Sequence, residues 1–382
     1  MRHPCKMPSG ARGGVLSVVL ILILLVAVAV AAWFAFDYTR FRDAPLAVRG
    51  AGQTFEVARG KSFREIVRDL RNARLSDAPP LYWRVLAGQL GVAGSLHAGE
   101  YALTPGITAR TLLQDMAQGR VLQRRVTLVE GWTFRQVRAA LAAAPRLAKK
   151  GAQLSDADLM SAIGAGGQNP EGRFMPDTYD YVLGMSDIDV LKRAHAALQS
   201  YLDAQWPKRD RSAPLQSPYQ ALILASIVEK ETAQASERPQ IAGVFERRLK
   251  IGMKLETDPT VIYGLGASYD GRIHSRDLQT DTPYNTYTRA GLPPTPIALP
   301  SRAAIDAVLH PAPGDALYFV SRGDGTHAFS STLAEHNHNV AIYQLHRAPA
   351  APATGSSASK PAAGSSGAKK KLSSRKTHRS RQ

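Results

Sequence analysis

The sequence holds one cysteine, Cys5, in 382 residues, so no disulfide can form within the chain. Cys5 precedes the first apolar run and is not placed as a lipidation site following a signal sequence. No His-Glu-x-x-His stretch and no paired cysteines occur, so neither a zinc site nor any other metal is expected. His336 and His338 stand two apart, on different faces of a helix, and read as ordinary surface histidines. Gly60-Lys61-Ser62 ends like a phosphate loop, but Phe55 stands where that loop requires glycine. Acid is missing from both ends of the chain. Eight of the positive charges fall in residues 348–382 and three before residue 37, so the span between carries only +6 of the formal +17. A folded part that is only mildly basic, with no aromatic residues among the basic runs, argues against a nucleic-acid partner.

Gly14 to Phe36 is a run of 23 residues without a charge. As a helix it is roughly 34 Å long, enough for a hydrocarbon layer of about 30 Å. Ala29-Val30-Ala31 offers a small-residue cleavage site, so a signal peptide is the competing reading. The run exceeds the apolar core of a signal peptide, about 7–15 residues, which favours a retained transmembrane helix over 14–36. Arg2, Lys6 and Arg12, without acids, place residues 1–13 in the cytoplasm, although Arg40 and Arg42 beyond the run weaken that vote. From Ala348 the chain is Ala/Pro/Gly/Ser and then lysine-rich, a composition that cannot bury a core. Residues 348–382 therefore read as a disordered basic tail.

One pattern recurs three times: a strand end, a glycine turn, a Ser or Thr cap, then an amphipathic helix. It covers Val57 to Leu70, Leu103 to Met116 and Leu128 to Leu141. Ser62 with Glu65, and Thr133 with Gln136, have the spacing of capping boxes. The intervals are unequal, so the unit is reused and does not form a solenoid. Pro80–Leu90 reads as a further helix, and Lys149 to Gly167 as a disordered insert. Phe174, Tyr179 and Tyr181 fit either a sugar groove or core packing around a turn. Leu317–Val320 and Thr326–Ser330 read as two strands about the turn Arg322–Gly325, followed by a closing helix over Leu333–Leu345.

The centre of the chain is a helix from Tyr219 to Thr232 whose middle, Ala221 to Val228, is apolar on every face and so should be buried. Ser217 suits the N-cap and Pro218 the first turn. The helix ends in Glu229-Lys230-Glu231-Thr232, which sets a carboxyl at the edge of a core. Burial there raises a carboxyl pKa, the property required of a general acid near neutral pH. Glu229 and Glu231 lie about 200° apart on the helix, so one at most faces a given cleft. Periodicity does not choose between them. A second helix follows over Ile241–Leu249, and then a polar, turn-forming cluster, Thr257-Asp258-Pro259-Thr260.

Several ordered stretches together resemble the MltG (YceG-like) family of membrane-anchored endolytic murein transglycosylases. They are Ala225–Ala233, Ser236-Glu237-Arg238, Thr257–Gly264, Tyr284-Asn285-Thr286-Tyr287 and Gly291-Leu292-Pro293-Pro294, with Glu171–Tyr179 upstream. The resemblance covers roughly residues 15 to 345. It implies an α+β chain: a single N-terminal transmembrane helix, a small LysM-like module with a linker unit (44–122), and a mixed α+β catalytic domain (123–347). LysM modules bind N-acetylglucosamine glycans, so the module would dock glycan or serve only as packing. The Lys-Glu-Thr-Ala context of Glu231 resembles the Glu-Ser signature of other lytic transglycosylases, which makes Glu231 the expected catalytic acid and Glu229 a structural carboxylate paired with a base.

Thr257, Asn285 and Tyr287 are then expected around the sugar, with Tyr263 and Tyr284 as stacking surfaces; buried packing or turn chemistry is the competing reading for each. Asp258 is expected as a turn carboxylate or second acid. The implied substrate is nascent peptidoglycan, cut without a cofactor by a protein of the inner membrane with its bulk in the periplasm. Peptidoglycan synthases are possible partners. Two other classes stay open: a two-carboxylate glycan hydrolase using Glu231 with Asp258, and a non-catalytic glycan-binding scaffold.

Overall fold

The computed structural model describes residues 12–345, with side chains described from residue 17. The expected tail at 348–382 and most of the expected cytoplasmic N-terminus lie outside the described residues. In chain order the elements are α1 (Arg12–Asp43), β1 (Thr54–Val57), α2 (Phe63–Asn72), α3 (Pro80–Leu90), β2 (Gly99–Ala102), α4 (Ala109–Ala117), β3 (Arg124–Leu128), α5 (Phe134–Ala143), α6 (Asp156–Ala162), β4 (Asp177–Tyr181) and α7 (Asp187–Gln205). Then come α8 (Pro218–Glu231), α9 (Arg238–Lys250), α10 (Asp258–Leu265), α11 (Ser275–Gln279), α12 (Arg302–Leu309), β5 (Tyr318–Ser321), β6 (His327–Ser330) and α13 (Leu333–Tyr343). The strands form three separate antiparallel pairs, β1–β2, β3–β4 and β5–β6. The chain is thus mixed helix and strand, with helix predominating.

Helix α1 is the one helix among the described residues long and apolar enough to cross a membrane. It does not stop at Phe36 as the uncharged run suggests; it continues to Asp43. The reason lies in its last turns, which are amphipathic and have a partner. Phe34, Tyr38 and Phe41 pack against Tyr82 of α3, and Phe41 also against Trp83. The Tyr82 hydroxyl donates to Asp37 at 2.8 Å. The end of α1 is therefore part of the first hydrophobic core, which also takes in Leu70, Leu86, Leu112 and Met116.

All three recurring units form their strand, turn and helix. Ser62 and Thr133 both close capping boxes, with Glu65 and Gln136. β1 and β2 pair from Thr54 opposite Ala102 to Val57 opposite Gly99, enclosing α2 and α3 between them in sequence. A second core gathers β3, α5, α6, β4 and α7, with Phe174 stacked on Phe134 at 5.2 Å. Phe174, Tyr179 and Tyr181 are all buried there, so of the two readings open for them, core packing is the observed one.

The expected disordered insert is instead ordered. Ser155 caps α6 by accepting from Asp158 N at 3.1 Å, and Leu159, Met160, Ile163 and Ala165 enter the second core. Four buried apolar residues outweigh the glycines at 164, 166 and 167 that made the segment look unstructured.

The third core surrounds α8, whose residues Ala221 to Val228 are all buried between α9, α12 and α7. Ser217 accepts from Gln220 N at 3.2 Å as the N-cap. Gly172 joins the second core to the proline-rich loop beyond α11. Its φ is +71°, and a Cβ there would stand 2.4 Å from Pro296 Cβ and 3.0 Å from the Ala298 carbonyl. Gly172→Ala is expected to lower stability by at least about 1–3 kcal/mol, the cost of a left-handed non-glycine residue alone. Urea unfolding of the two proteins measures it. An unshifted midpoint would mean the loop moves aside without penalty.

Candidate active site

Glu231 is the last residue of α8, and that position follows from its neighbours. Thr232 leaves the helix with φ −139° and ψ 135°, its N–H still bonded to the Val228 carbonyl. The apolar body of α8 is locked in the core, so its final carboxyl is held at the core's rim and half-buried. Burial pushes the Glu231 carboxyl above the ordinary carboxylate range, and the nearby charge of Asp258 adds to the shift. A helix C-terminus, with its unpaired carbonyls, also disfavours a negative charge.

One hydrogen bond pulls the other way. The Thr257 hydroxyl donates to Glu231 Oε2 at 2.7 Å. Thr257 is the N-cap residue of α10, yet its side chain makes no capping bond; it is turned to Glu231 instead. The cluster expected to be only a turn is thus the start of a helix, since Asp258 and Pro259 both suit a first turn. Thr257 is itself fixed: its N–H donates to Thr286 Oγ1 at 3.1 Å, and its carbonyl accepts from the Thr260 hydroxyl at 2.7 Å.

Glu229 has a different environment. Its side chain is 4% exposed, 3.2 Å from Arg238 Nη2. It also accepts from the Ser301 backbone N–H at 3.0 Å and the Ser301 hydroxyl at 2.5 Å. Ser301 is the N-cap of α12 and Arg238 opens α9. Glu229 therefore ties three helices together, while Glu231 faces open space.

That space is a cleft of about 450 Å³ between the end of α8, the start of α10 and the β5–β6 hairpin with α13. Asp258 and Tyr287 line it beside Glu231, with the Tyr287 hydroxyl donating to Asp258 Oδ1 at 2.6 Å. Three basic side chains face it as well. Arg248 is 7% exposed and donates to the Leu255 and Leu317 carbonyls at 2.9 and 2.7 Å. His327 Nδ1 lies 2.7 Å from Glu237 Oε2, and its backbone N–H donates to Glu237 Oε1 at 2.9 Å. His336 stacks on the Tyr318 ring at 5.3 Å, with a buried Nδ1 that has no hydrogen-bond partner among the described residues.

The reading of His336 as a surface histidine is corrected here: α13 turns that face onto the hairpin, and only His338 is exposed. No local signal marks His327 and His336 as cleft residues, because the hairpin and α13 lie far from α8 in sequence.

The remaining expected site residues are placed elsewhere. Asn285 is fully buried, and its Nδ2 donates to the carbonyls of Asp277, Leu278 and Thr280 at 3.1, 3.0 and 2.7 Å. Its Oδ1 accepts from Tyr287 N at 2.9 Å, so its polar atoms are spent shaping the loop that carries Tyr287. Asn285 thus supports the cleft from behind and has no exposed atom with which to touch a sugar.

Tyr263 and Tyr284 pack edge-on at 4.8 Å and line a second cavity of about 490 Å³. Lys230 and Pro259 border that cavity, whereas their sequence neighbours Glu231 and Asp258 border the first, so the two flank the same α8–α10 junction. The second cavity holds a carboxyl that sequence reasoning passed over. Glu171 is 6% exposed, accepts from Phe134 N at 2.9 Å and from the Tyr263 hydroxyl at 3.0 Å, and is raised by burial to about 6.

The site is thus a carboxyl raised by burial at a helix end above an open cleft. The profile of the YceG-like family matches residues 55–342. The chain belongs to the YceG-like family. Among curated relatives, the endolytic murein transglycosylase of Bacillus subtilis (strain 168) is 32% identical over 263 residues, covering 64% of this chain and 72% of the relative. The protein of the same name from Streptococcus pneumoniae serotype 2 is 30% identical over 188 residues, 45% of this chain and 32% of the longer relative. A crystal structure of a YceG-like protein from Listeria monocytogenes is 29% identical, with a TM-score of 0.47 over 75% of this chain and 98% of that one.

Proposed function

We propose that this YceG-like chain is a lytic transglycosylase that cuts peptidoglycan strands internally, with Glu231 as its single acid and base. The observation that carries the reading is the Glu231 carboxyl, raised above the ordinary carboxylate range by burial, held by Thr257 and open to the cleft. The names of the relatives support murein as the substrate, and in this reading the bond cut is that between N-acetylmuramic acid and N-acetylglucosamine. Glu231 gives its proton to the bridging oxygen as the bond to the muramyl C1 breaks. The carboxylate then takes the proton of the muramyl 6-hydroxyl, whose oxygen closes on C1. The product is a 1,6-anhydro end, and no water is consumed. Cutting strands as they grow would limit their length. A general acid supplies about 10²–10⁴-fold, and positioned charge must supply the rest. In this reading Arg248 and His327 face the leaving oxygen's side of the cleft, and Asp258 and Tyr287 bind the sugar beside Glu231. Tyr263 and Tyr284 offer a stacking surface farther along the strand.

The α1 helix supports membrane anchoring, and on the basic residues Arg2, Lys6 and Arg12 we place the chain beyond the helix, from residue 44, in the periplasm. The β1-α2-α3-β2 arrangement, with its strands paired, supports a LysM-like module at 44–122 ahead of a catalytic domain at 123–347. Contact with glycan strands there, and with peptidoglycan synthases, belongs to the same proposal.

Mass analysis of the products from isolated murein tests the chemistry. Anhydro ends are expected. Reducing ends alone would instead assign the cleft to a hydrolase using Glu231 with Asp258, which share it.

Thr257→Val tests the role of the hydroxyl. Its hydrogen bond favours the charged carboxylate, so its loss raises the Glu231 pKa further. The alkaline limb of the rate profile should therefore move to higher pH. A limb that stays in place, or moves down, would detach Thr257 from the acid.

A further inference from the structure

We propose that the α2–α3 face of the N-terminal module binds the phosphate headgroups of anionic membrane lipid through Arg64, Arg68, Arg71 and Arg84; this rests on α1 being a membrane anchor. The sequence sets up the face. Ile66, Val67 and Leu70 turn one side of α2 into the core, which leaves Arg64, Arg68 and Arg71, at spacings of four and three, along the outer side. Arg84 of α3 faces them across a concavity of about 490 Å³, in which Asp77 is the only acid among the lining residues. All four arginines are exposed. Arg68 has Glu65 at 4.0 Å, and the side chains of Arg64, Arg71 and Arg84 make no hydrogen bond or ion pair among the described residues. Guanidinium groups gathered round a hollow repel one another, and an anion seated between them relieves that repulsion while accepting their fixed, forked donors.

Position decides which anion. Phe34 belongs to the uncharged run, and its ring lies 5.0 Å from that of Tyr82 in the first turn of α3. Asp37, the first acid after the run, receives the Tyr82 hydroxyl. From Phe34 to Phe41, where α1 meets α3, the helix rises about 10 Å. A headgroup layer is about 5–7 Å deep on each side of the hydrocarbon. The start of α3 therefore lies within that layer. Pro80 and Arg84 of the concavity flank Tyr82 in α3, and Leu81 between them is 53% exposed, an apolar side chain facing outward at membrane level. Asp77 borders both the arginine concavity and the cavity formed with Asp37 and Arg40 of α1. The concavity is thus continuous with the point where α1 leaves the bilayer, and the phosphates it meets are those of the lipid.

The consequence for function is geometric. A single helix leaves its cargo free to tilt, whereas a second contact with the headgroups fixes the module, and with it the height of the catalytic region above the membrane.

The test uses the full chain reconstituted in phosphatidylcholine bilayers, with spin-labelled phosphatidylglycerol or spin-labelled phosphatidylcholine as the probe. Each basic residue near an anionic surface contributes roughly fivefold. The wild type should therefore hold the anionic probe at least about fivefold more strongly than the zwitterionic one. The variant Arg64→Gln/Arg68→Gln/Arg71→Gln/Arg84→Gln should lose that preference, and Arg71→Gln/Arg84→Gln should lose part of it. A control with the same loss of charge elsewhere, Arg59→Gln/Arg120→Gln/Arg211→Gln/Arg276→Gln, should keep it. Equal loss in the control, or no preference in the wild type, would overturn the proposal. Displacement of the lipid by millimolar inorganic phosphate would reassign the hollow to a soluble anion. A chain that fails to float with the bilayers at all would remove the anchor and this proposal together, a result distinct from intact insertion without lipid preference.

Discussion

Glu231→Gln should reduce strand cleavage about 10²–10⁴-fold, the usual contribution of a general acid, while leaving the protein folded. Glutamine keeps the shape and an oxygen for the Thr257 hydroxyl, which donates at 2.7 Å in the native protein. What it cannot do is release a proton to the bridging oxygen and take one back from the 6-hydroxyl. Stability moves in the opposite direction from activity. A carboxyl whose pKa is raised in the folded state holds its proton after the unfolded chain has lost its own, so folding weakens as pH rises above the unfolded value. Removing that group removes the penalty, so the variant's melting temperature should equal the wild type's in acid and exceed it at higher pH. Rates and melting curves on the same preparations separate the two effects. Cleavage at the native rate would disqualify Glu231, and Glu171, a carboxyl raised to about 6 by burial in the neighbouring cavity, would be examined next.

The part of this molecule legible in the sequence is the part governed by neighbours. The three strand–turn–helix units, their caps and the apolar α8 follow from patterns a few residues long, and so does the position of Glu231 at a core's rim. Periodicity could not separate Glu229 from Glu231, because what separates them is supplied from distant segments: Arg238 and Ser301 for one, Thr257 and the hairpin cleft for the other. The same limit explains His336, whose partner ring, Tyr318, comes from a strand. It also explains Asn285, which reads as a polar site residue but spends its amide on three carbonyls. Glu171 escaped notice because its burial is completed by Phe134 and Tyr263, on either side of it in the chain.

Arg238→Ala should be the most damaging single change to stability, costing about 3–5 kcal/mol, because it leaves the Glu229 carboxylate buried without its cation. For a domain of this size that is a fall in melting temperature of roughly 6–20 °C. The pair is 9% and 4% exposed, so water cannot take the place of the guanidinium. The two hydrogen bonds from Ser301 remain, but they were made to a charge that now lacks compensation. Glu229→Gln should cost less than Arg238→Ala. It removes the charge with the partner, keeps an acceptor for Ser301, and leaves an arginine whose long stem can carry its head towards solvent. The double variant Arg238→Met/Glu229→Gln should recover part of the loss, since an apolar side chain beside a neutral amide buries no net charge. Because α8, α9 and α12 meet at this pair, the loss should appear as a lower midpoint for the whole catalytic region, with Glu231 still active per folded molecule well below that midpoint. An Arg238→Ala protein that melts with the wild type would mean that apolar packing alone holds the three helices, and that the position of Glu231 owes nothing to the ion pair two residues before it.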